Sequence, residues 1–128
     1  MTEPEWLEQE AVEVLHDKSL ALHGGAAGVR DAGLLDSALQ RPINRFHYEG
    51  VTDIAALAAT YAVAISGNHP FIDGNKRAAF QAMALFLRIN GYRLKVDPAE
   101  ATAAIYALAA GQLDLERLSE WVRRNTSA

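Results

Sequence analysis

A base, a carboxylate, a tight turn and two cations stand together in His69-Pro70-Phe71-Ile72-Asp73-Gly74-Asn75-Lys76-Arg77. His69 can exchange a proton near neutral pH. Asp73 supplies hard oxygen ligands of the kind Mg²⁺ takes. Gly74 and Asn75 tolerate left-handed backbone angles, so they can turn the chain close to a ligand. Lys76 offers a point charge and Arg77 a planar fork, and both suit phosphate. Together these are the parts of a site for nucleotide phosphates. The same residues also have a plainer reading. Asn-His-Pro and Asp-Gly-Asn are ordinary loop and cap material, and Phe71 and Ile72 read as core anchors that hold the loop.

The elements that must position these residues are helices. From Asn75 to Asn90 the chain is rich in Ala, Leu, Met and Phe, and Gly91 ends the run. The Gly74-Asn75 turn therefore falls at a helix N-terminus, where unpaired N–H groups and the positive end of the helix dipole favour an anion. Upstream, Thr52 or Asp53 starts a helix through Ile54, Leu57, Tyr61 and Ile65 that ends near Gly67. Its alanine-rich, nearly uncharged sequence suits a central helix packed on several sides. The motif is then a tight loop between two buried helices, a support that holds reacting groups in place.

The rest of the chain reads as further helices. Thr2 can cap a first helix, with Pro4 in its first turn and Glu5 three residues on, running to Gly24-Gly25. His16 and His23, near its end, read as surface or capping groups. Asp31 caps a short helix through Leu34, Leu35, Ala38 and Leu39 that Pro42 closes; Arg30 and Asp31 are alternatively a site pair. Pro42 to Thr52 reads as an irregular segment carrying Arg45, Phe46, His47, Tyr48 and Glu49, with His47 a second, poorly supported candidate base. Tyr92 to Val96 alternates like a short strand. Asp97-Pro98-Ala99-Glu100 starts a helix to about Ala110, and Asp114 caps the last one through Leu118 and Val122. The fold class expected is all-α, about six helices, in a single domain over 1–128.

Composition narrows the function classes. The 128 residues carry a formal net charge of −4, with basic residues scattered, which argues against a general nucleic-acid binder. There is no cysteine, so disulfides, thiolate catalysis and Cys-zinc sites are excluded, and a cytoplasmic location is expected. Glu3, Glu5, Glu8 and Glu10 make the first residues unlike a signal peptide, and no apolar run approaches the ~20 residues of a membrane span.

The motif resembles the signature of the Fic/Doc superfamily, in its death-on-curing (Doc) toxin branch. The likeness extends over Gly28-Val29-Arg30-Asp31, Leu34 to Leu39, Arg41-Pro42 and Asn90-Gly91-Tyr92, and so spans most of the chain. It implies the Fic fold and a transferase whose general base is His69 and whose Mg²⁺ ligand is Asp73. Gly74, Asn75, Lys76 and Arg77 would bind the phosphates of ATP, with Phe71 as motif support. Fic proteins that transfer AMP usually have Gly where Lys76 stands and a second Arg where Phe80 stands. Both departures resemble Doc, whose members move the γ-phosphoryl of ATP to a hydroxyl on elongation factor Tu and stop translation. Gln81 is a further candidate, falling where the prototype toxin has another polar amide. The region around Pro42 to Thr52 would form the superfamily's flap. A small, partly disordered antitoxin is the implied partner. The Ser/Thr-x-x-x-Glu-Gly/Asn inhibitory segment of many Fic proteins is not matched, because Arg45 precedes Glu49 at the required spacing.

Two rival functions stand beside the kinase. One is AMP transfer with the nucleotide bound the other way round. The other is a catalytically idle domain kept for protein binding, against which the intact set of His69, Asp73 and Arg77 argues.

Overall fold

The computed structural model describes residues 2–128. Six helices make up most of it: α1 (Gln9–His23), α2 (Ala32–Glu49), α3 (Ile54–Asn68), α4 (Asn75–Ile89), α5 (Pro98–Ala109) and α6 (Leu115–Arg124). Strands β1 (Arg93–Leu94) and β2 (Thr126–Ser127) form a two-stranded antiparallel ribbon, with Arg93 opposite Ser127 and Leu94 opposite Thr126. The all-α expectation holds.

Helix α3 is the centre of the bundle and packs against α2, α4 and α6. Leu57, Ala58, Ala59, Tyr61, Ala62 and Ile65 are fully buried. Small side chains on every face let three helices approach α3 at once, the geometry an apolar, nearly uncharged helix selects. Asp53 caps it, accepting from the Ala55 N–H at 3.2 Å. Helix α4 completes the core with Ala79, Ala82, Met83, Phe86 and Leu87. No helix among the described residues is long and apolar enough to cross a membrane.

The first helix begins at Gln9, not at Thr2. Residues 2–8 run as a non-helical strap whose backbone finds other partners. Asn90 receives the Glu5 N–H at 2.8 Å and donates to the Glu5 carbonyl at 3.0 Å. The Leu7 N–H donates to the Tyr61 hydroxyl at 3.1 Å. Trp6 stacks on Phe86 with centroids 5.8 Å apart and meets Phe46 edge-on at 5.7 Å. Capping signals near Thr2 thus lose to tertiary contacts that satisfy the same backbone groups and pack a half-buried tryptophan on the core as well.

Helix α2 also departs from expectation. Asp31 caps it as expected, accepting from Leu34 N–H at 3.0 Å. Pro42 does not close it. The helix runs through this proline to Glu49 and stops at Gly50, whose φ of 69° is left-handed. Pro42 lacks an N–H and leaves one carbonyl a turn back without its helical partner. Its own burial and the packing of Phe46 on the core hold the helix beyond it. The segment expected to be an irregular flap is therefore the C-terminal half of a helix. Of the strand expected over 92–96, only Arg93 and Leu94 pair.

Candidate active site

Helix α3 ends at Asn68, and His69 follows as its C-cap with φ 49° and ψ 55°. His69 is the sole non-glycine residue with positive φ among the described residues. A β-substituted residue pays a steric penalty in that region, and such strain gathers at functional sites. The local contacts account for its persistence. The Arg30 guanidinium donates from Nε to the His69 carbonyl at 2.8 Å and from Nη2 to the Asn68 carbonyl at 3.0 Å. The Arg30 and Asp31 N–H groups both donate to the Pro70 carbonyl, at 2.7 and 3.1 Å. Ile72 N–H donates to the Gly28 carbonyl at 3.1 Å, and Val29 and Phe71 form an antiparallel bridge. Residues 28–31 are thus a backbone clamp on the motif loop. Of the two roles open to Arg30 and Asp31, Asp31 is a cap and Arg30 is a loop anchor.

Within the loop, Asn75 turns its side chain inward. Its Oδ1 accepts from Phe71 N–H at 3.0 Å and its Nδ2 donates to the Phe71 carbonyl at 2.9 Å. That pair of bonds fixes the orientation of the amide. The second Nδ2 hydrogen then faces His69 Nδ1 at 3.3 Å. His69 Nε2 has no protein partner among the described residues, and the ring lines the pocket. Asn75 is 8 % exposed, so only its backbone can serve a phosphate; its side chain belongs to the loop. Phe71, at 1 % exposure, is the anchor expected, whereas Ile72 is 55 % exposed and is no core residue.

Gly74 is the N-cap of α4 with φ 77°, and it offers no capping side chain. The first intrahelical bond runs from Ala78 N–H to the Gly74 carbonyl at 2.9 Å. The N–H groups of Asn75, Lys76 and Arg77 precede it in the helix, which is the arrangement that receives anions. A methyl group on Gly74 would sit 3.2 Å from Arg77 Nη2 and 3.5 Å from His16 Nε2. Arg77 is half-buried and tethered by Nη2 to the Gly24 carbonyl at 3.2 Å. Lys76 Nζ lies over the Tyr106 ring, 5.3 Å from its centroid.

Asp73 is exposed. Its Oδ1 accepts from the Gly74 N–H at 2.7 Å, and Ala26 N–H lies 3.4 Å from Oδ2. No group of three or more His, Cys, Asp or Glu residues among the described residues is placed to hold a metal by itself. One exposed carboxylate beside a helix N-terminus fits Mg²⁺ that brings its own phosphate ligands, the usual way this ion is bound in nucleotide sites.

A cleft of about 640 Å³ gathers these residues. His69, Asp73, Gly74, Asn75, Lys76, Arg77 and Gln81 all line it, with Phe80. Its far wall comes from α5, through Pro98, Ala101, Thr102, Ile105 and Tyr106, none of which the motif signalled. One end is cationic and rich in N–H groups; the other is largely apolar. Gln81 Oε1 is buried there with no hydrogen-bond partner among the described residues, an acceptor available to a ligand N–H. His23 is exposed, as expected, but at the rim of this cleft. His47 is outside it and bonds Glu3 at 3.1 Å.

One further residue was misread in the sequence. His16 is 2 % exposed, not on the surface. Its ring stacks on Phe71 with centroids 3.8 Å apart and planes within 14°. Its Nε2 donates to the Asp73 carbonyl at 2.7 Å. Nothing in the linear sequence separates this histidine from His23, a residue seven positions on that faces solvent; only the packing of α1 on α4 does.

Comparison with known proteins gives the family. The Fic/DOC family model matches residues 6–87. The chain is similar to a protein named Protein kinase doc, from Escherichia phage P1, with 36% identity over 110 residues that cover 86% of each chain. It is also similar to a protein named Toxin Doc, from Mycolicibacterium smegmatis, with 39% identity over 94 residues that cover 73% of this chain and 70% of the relative. With the helix-capped motif loop at its centre and relatives matched over most of its length, this chain belongs to the Fic/DOC family.

Proposed function

We propose that this chain is a Doc-like toxin: a protein kinase that moves the γ-phosphoryl of ATP to a hydroxyl of a translation factor, elongation factor Tu, and is neutralised by a cognate antitoxin. The observation that carries the reading is the cleft where His69 Nε2, the Asp73 carboxylate and the N-terminus of α4 converge, with Lys76 and Phe80 on the same wall. The name of the phage relative supports the kinase over other transfers.

Phosphoryl transfer needs positioning and charge neutralisation more than covalent help from the protein. The target hydroxyl oxygen forms a bond to the γ-phosphorus as the bond to the β–γ bridging oxygen breaks, and ADP leaves. His69 takes the hydroxyl proton as general base. To do so through Nε2, the ring must hold its hydrogen on Nδ1, so the long Asn75 contact gives way when the hydroxyl arrives. The backbone N–H groups at the start of α4, with Lys76 and Arg77, take the phosphate charge. Asp73 would hold Mg²⁺, which would supply neutralisation of the phosphate charge. Lys76 fills space that glycine would leave for close approach of an α-phosphate, and Phe80 cannot clamp far phosphates as a second arginine would.

The test is incubation of the antitoxin-free protein with elongation factor Tu, ATP and Mg²⁺, read by intact-mass spectrometry. One phosphate adds about 80 Da and one AMP about 329 Da, and only the first brings a dianionic group. An AMP-sized adduct overturns the kinase and leaves the site intact. No adduct on any translation factor overturns both and favours the binding module.

A further inference from the structure

We infer that His16 is a positioning residue for the phosphate site, reaching it from α1, outside the motif. The inference rests on the reading of Asp73 as the Mg²⁺ ligand. Three observations carry it. His16 is almost fully buried, yet it carries two ring nitrogens into the core beside the site. Burying such a group is unfavourable unless it is hydrogen-bonded, so its partner matters. That partner is the Asp73 carbonyl, at 2.7 Å, which belongs to the peptide joining the metal-binding residue to the N-cap of α4. Holding that carbonyl fixes the plane of the Asp73–Gly74 peptide. The plane sets both where the Asp73 side chain leaves the backbone and how the first N–H groups of α4 are aimed.

The stack on Phe71 supplies the second restraint. With its plane 14° from the Phe71 ring, the imidazole cannot swing without disturbing the motif's own anchor. The exit of α1 supplies a second contact on Asp73. A methyl group on Gly25, with φ 121°, would lie 2.7 Å from Asp73 Oδ2, so the carboxylate rests directly against that glycine. Asp73 is thus held by His16 at its carbonyl and bounded by Gly25 at its carboxylate. His16 does not touch substrate in this arrangement; it acts through Asp73. Partners that orient a metal ligand in this way typically change metal affinity or activity by about 10–100-fold when removed.

The test separates hydrogen bond from packing. His16→Phe keeps the aromatic stack and removes the donor; His16→Gln gives up the stack and places an amide N–H near the position of Nε2. ATP binding is measured by calorimetry across a Mg²⁺ series for both variants and the parent, with thermal unfolding alongside. The expected result is that His16→Phe raises the Mg²⁺ concentration for half-maximal enhancement by about 10-fold or more, while His16→Gln recovers most of it. ATP binding without Mg²⁺ should move less. A His16→Phe curve that overlays the parent, or a folded His16→Gln no better than Phe, overturns the inference. Should His16→Phe fail to fold, nitrogen NMR of the parent decides: the His16 hydrogen is expected on Nε2, with its signal moved by Mg²⁺-ATP, and a hydrogen on Nδ1 alone or an unmoved signal overturns it. These readouts concern binding. If the parent binds Mg²⁺-ATP but adds no phosphate to a translation factor, the kinase falls and the His16 comparison still stands.

Discussion

The side chain of Asn75 forms a closed pair of hydrogen bonds with the backbone of Phe71, accepting from its N–H at 3.0 Å and donating to its carbonyl at 2.9 Å. This couples the first residue of α4 to the loop that carries His69. It also aims an amide hydrogen at His69 Nδ1. One side chain therefore stabilises the loop and faces the His69 ring.

Asn75→Ala should loosen both. It leaves a buried N–H and a buried carbonyl on Phe71 unpaired, for which a loss of about 2–4 kcal/mol is expected. Asn75→Asp keeps the acceptor but sets a carboxylate oxygen against the Phe71 carbonyl, so it should not restore the pair. Denaturant unfolding measures the series. An Asn75→Ala variant within about 0.5 kcal/mol of the parent would show that the pair contributes little, since that is the range of ordinary surface changes.

Tyr61 predicts an alkaline limit to stability. It is fully buried in α3, and burial pushes its hydroxyl from 10.0 up to about 12, partly offset by the Leu7 N–H that it accepts. The folded protein therefore keeps the phenol proton at pH values where the unfolded chain has lost it. With fewer protons bound in the unfolded state, stability falls as pH rises. The contribution is fully present below pH 10 and is lost between pH 10 and about 12. Its size is about 2–3 kcal/mol, from 1.36 kcal/mol per unit. Tyr61→Phe should flatten this part of the profile while lowering stability at neutral pH, because the Leu7 N–H loses its acceptor. Equilibrium unfolding from pH 8 to 12 tests it, and a parent profile no steeper than that of Tyr61→Phe would contradict it.

Removing the proposed general base, His69, should separate chemistry from fold. His69 is exposed, so His69→Ala deletes no core packing. Alanine keeps the left-handed strain that histidine bears at φ 49°, so the backbone cost is unchanged. The transfer rate should drop by about 10²–10⁴-fold, the usual contribution of a general base. Single-turnover transfer and growth arrest at matched expression are the measurements. Full transfer by the variant would remove His69 from the mechanism.

The motif loop and its flanking helices were legible because local signals and tertiary packing agree there. Gly74 marks the turn, Asp53 caps the helix before it, and the alanines of α3 announce a buried centre. The signals that failed were those the core overrode. Thr2 and Pro4 look like a helix start, but Trp6 and Leu7 are worth more against Phe86 and Tyr61. Pro42 looks like a stop, but Phe46 lies beyond it on the core. His16 and the α5 wall were invisible for a different reason. Neither lies near the motif in sequence, and a histidine's burial is decided by which neighbour covers it.

Asp73→Asn addresses the metal. It removes the one carboxylate in the motif and keeps an oxygen for the Gly74 N–H. The cap contact is retained, so thermal stability should change little. Mg²⁺ enhancement of ATP binding should weaken by about 10-fold or more, because a neutral amide oxygen is a poorer ligand for a hard cation. Calorimetry with and without Mg²⁺ reads this directly. An unchanged enhancement would mean that Asp73 is only a cap.

Lys76 offers the sharpest test of how phosphate is held. Its ammonium lies over the Tyr106 ring, where an exposed cation–π contact contributes about 0.5–1 kcal/mol. That is weak enough for the side chain to move to a phosphate, which offers a full opposite charge. Lys76→Met keeps the apolar stem on Tyr106 and removes the charge. The fold should be unaffected, since Lys76 is exposed and in no salt bridge among the described residues. Loss of one hydrogen bond to a charged group costs about 1.5–3 kcal/mol, so kcat/KM for ATP should fall by roughly 10–100-fold. The dependence on salt should weaken too, because a screened attraction has been deleted. Tyr106→Ala is the companion variant. It removes the resting place of the ammonium without touching its charge, and so should leave kcat/KM within a few-fold. If Lys76→Met transfers phosphate as the parent does, the charge is not used in the reaction. If Tyr106→Ala is instead the more damaging of the two, the ring serves the ligand directly and Lys76 is its support.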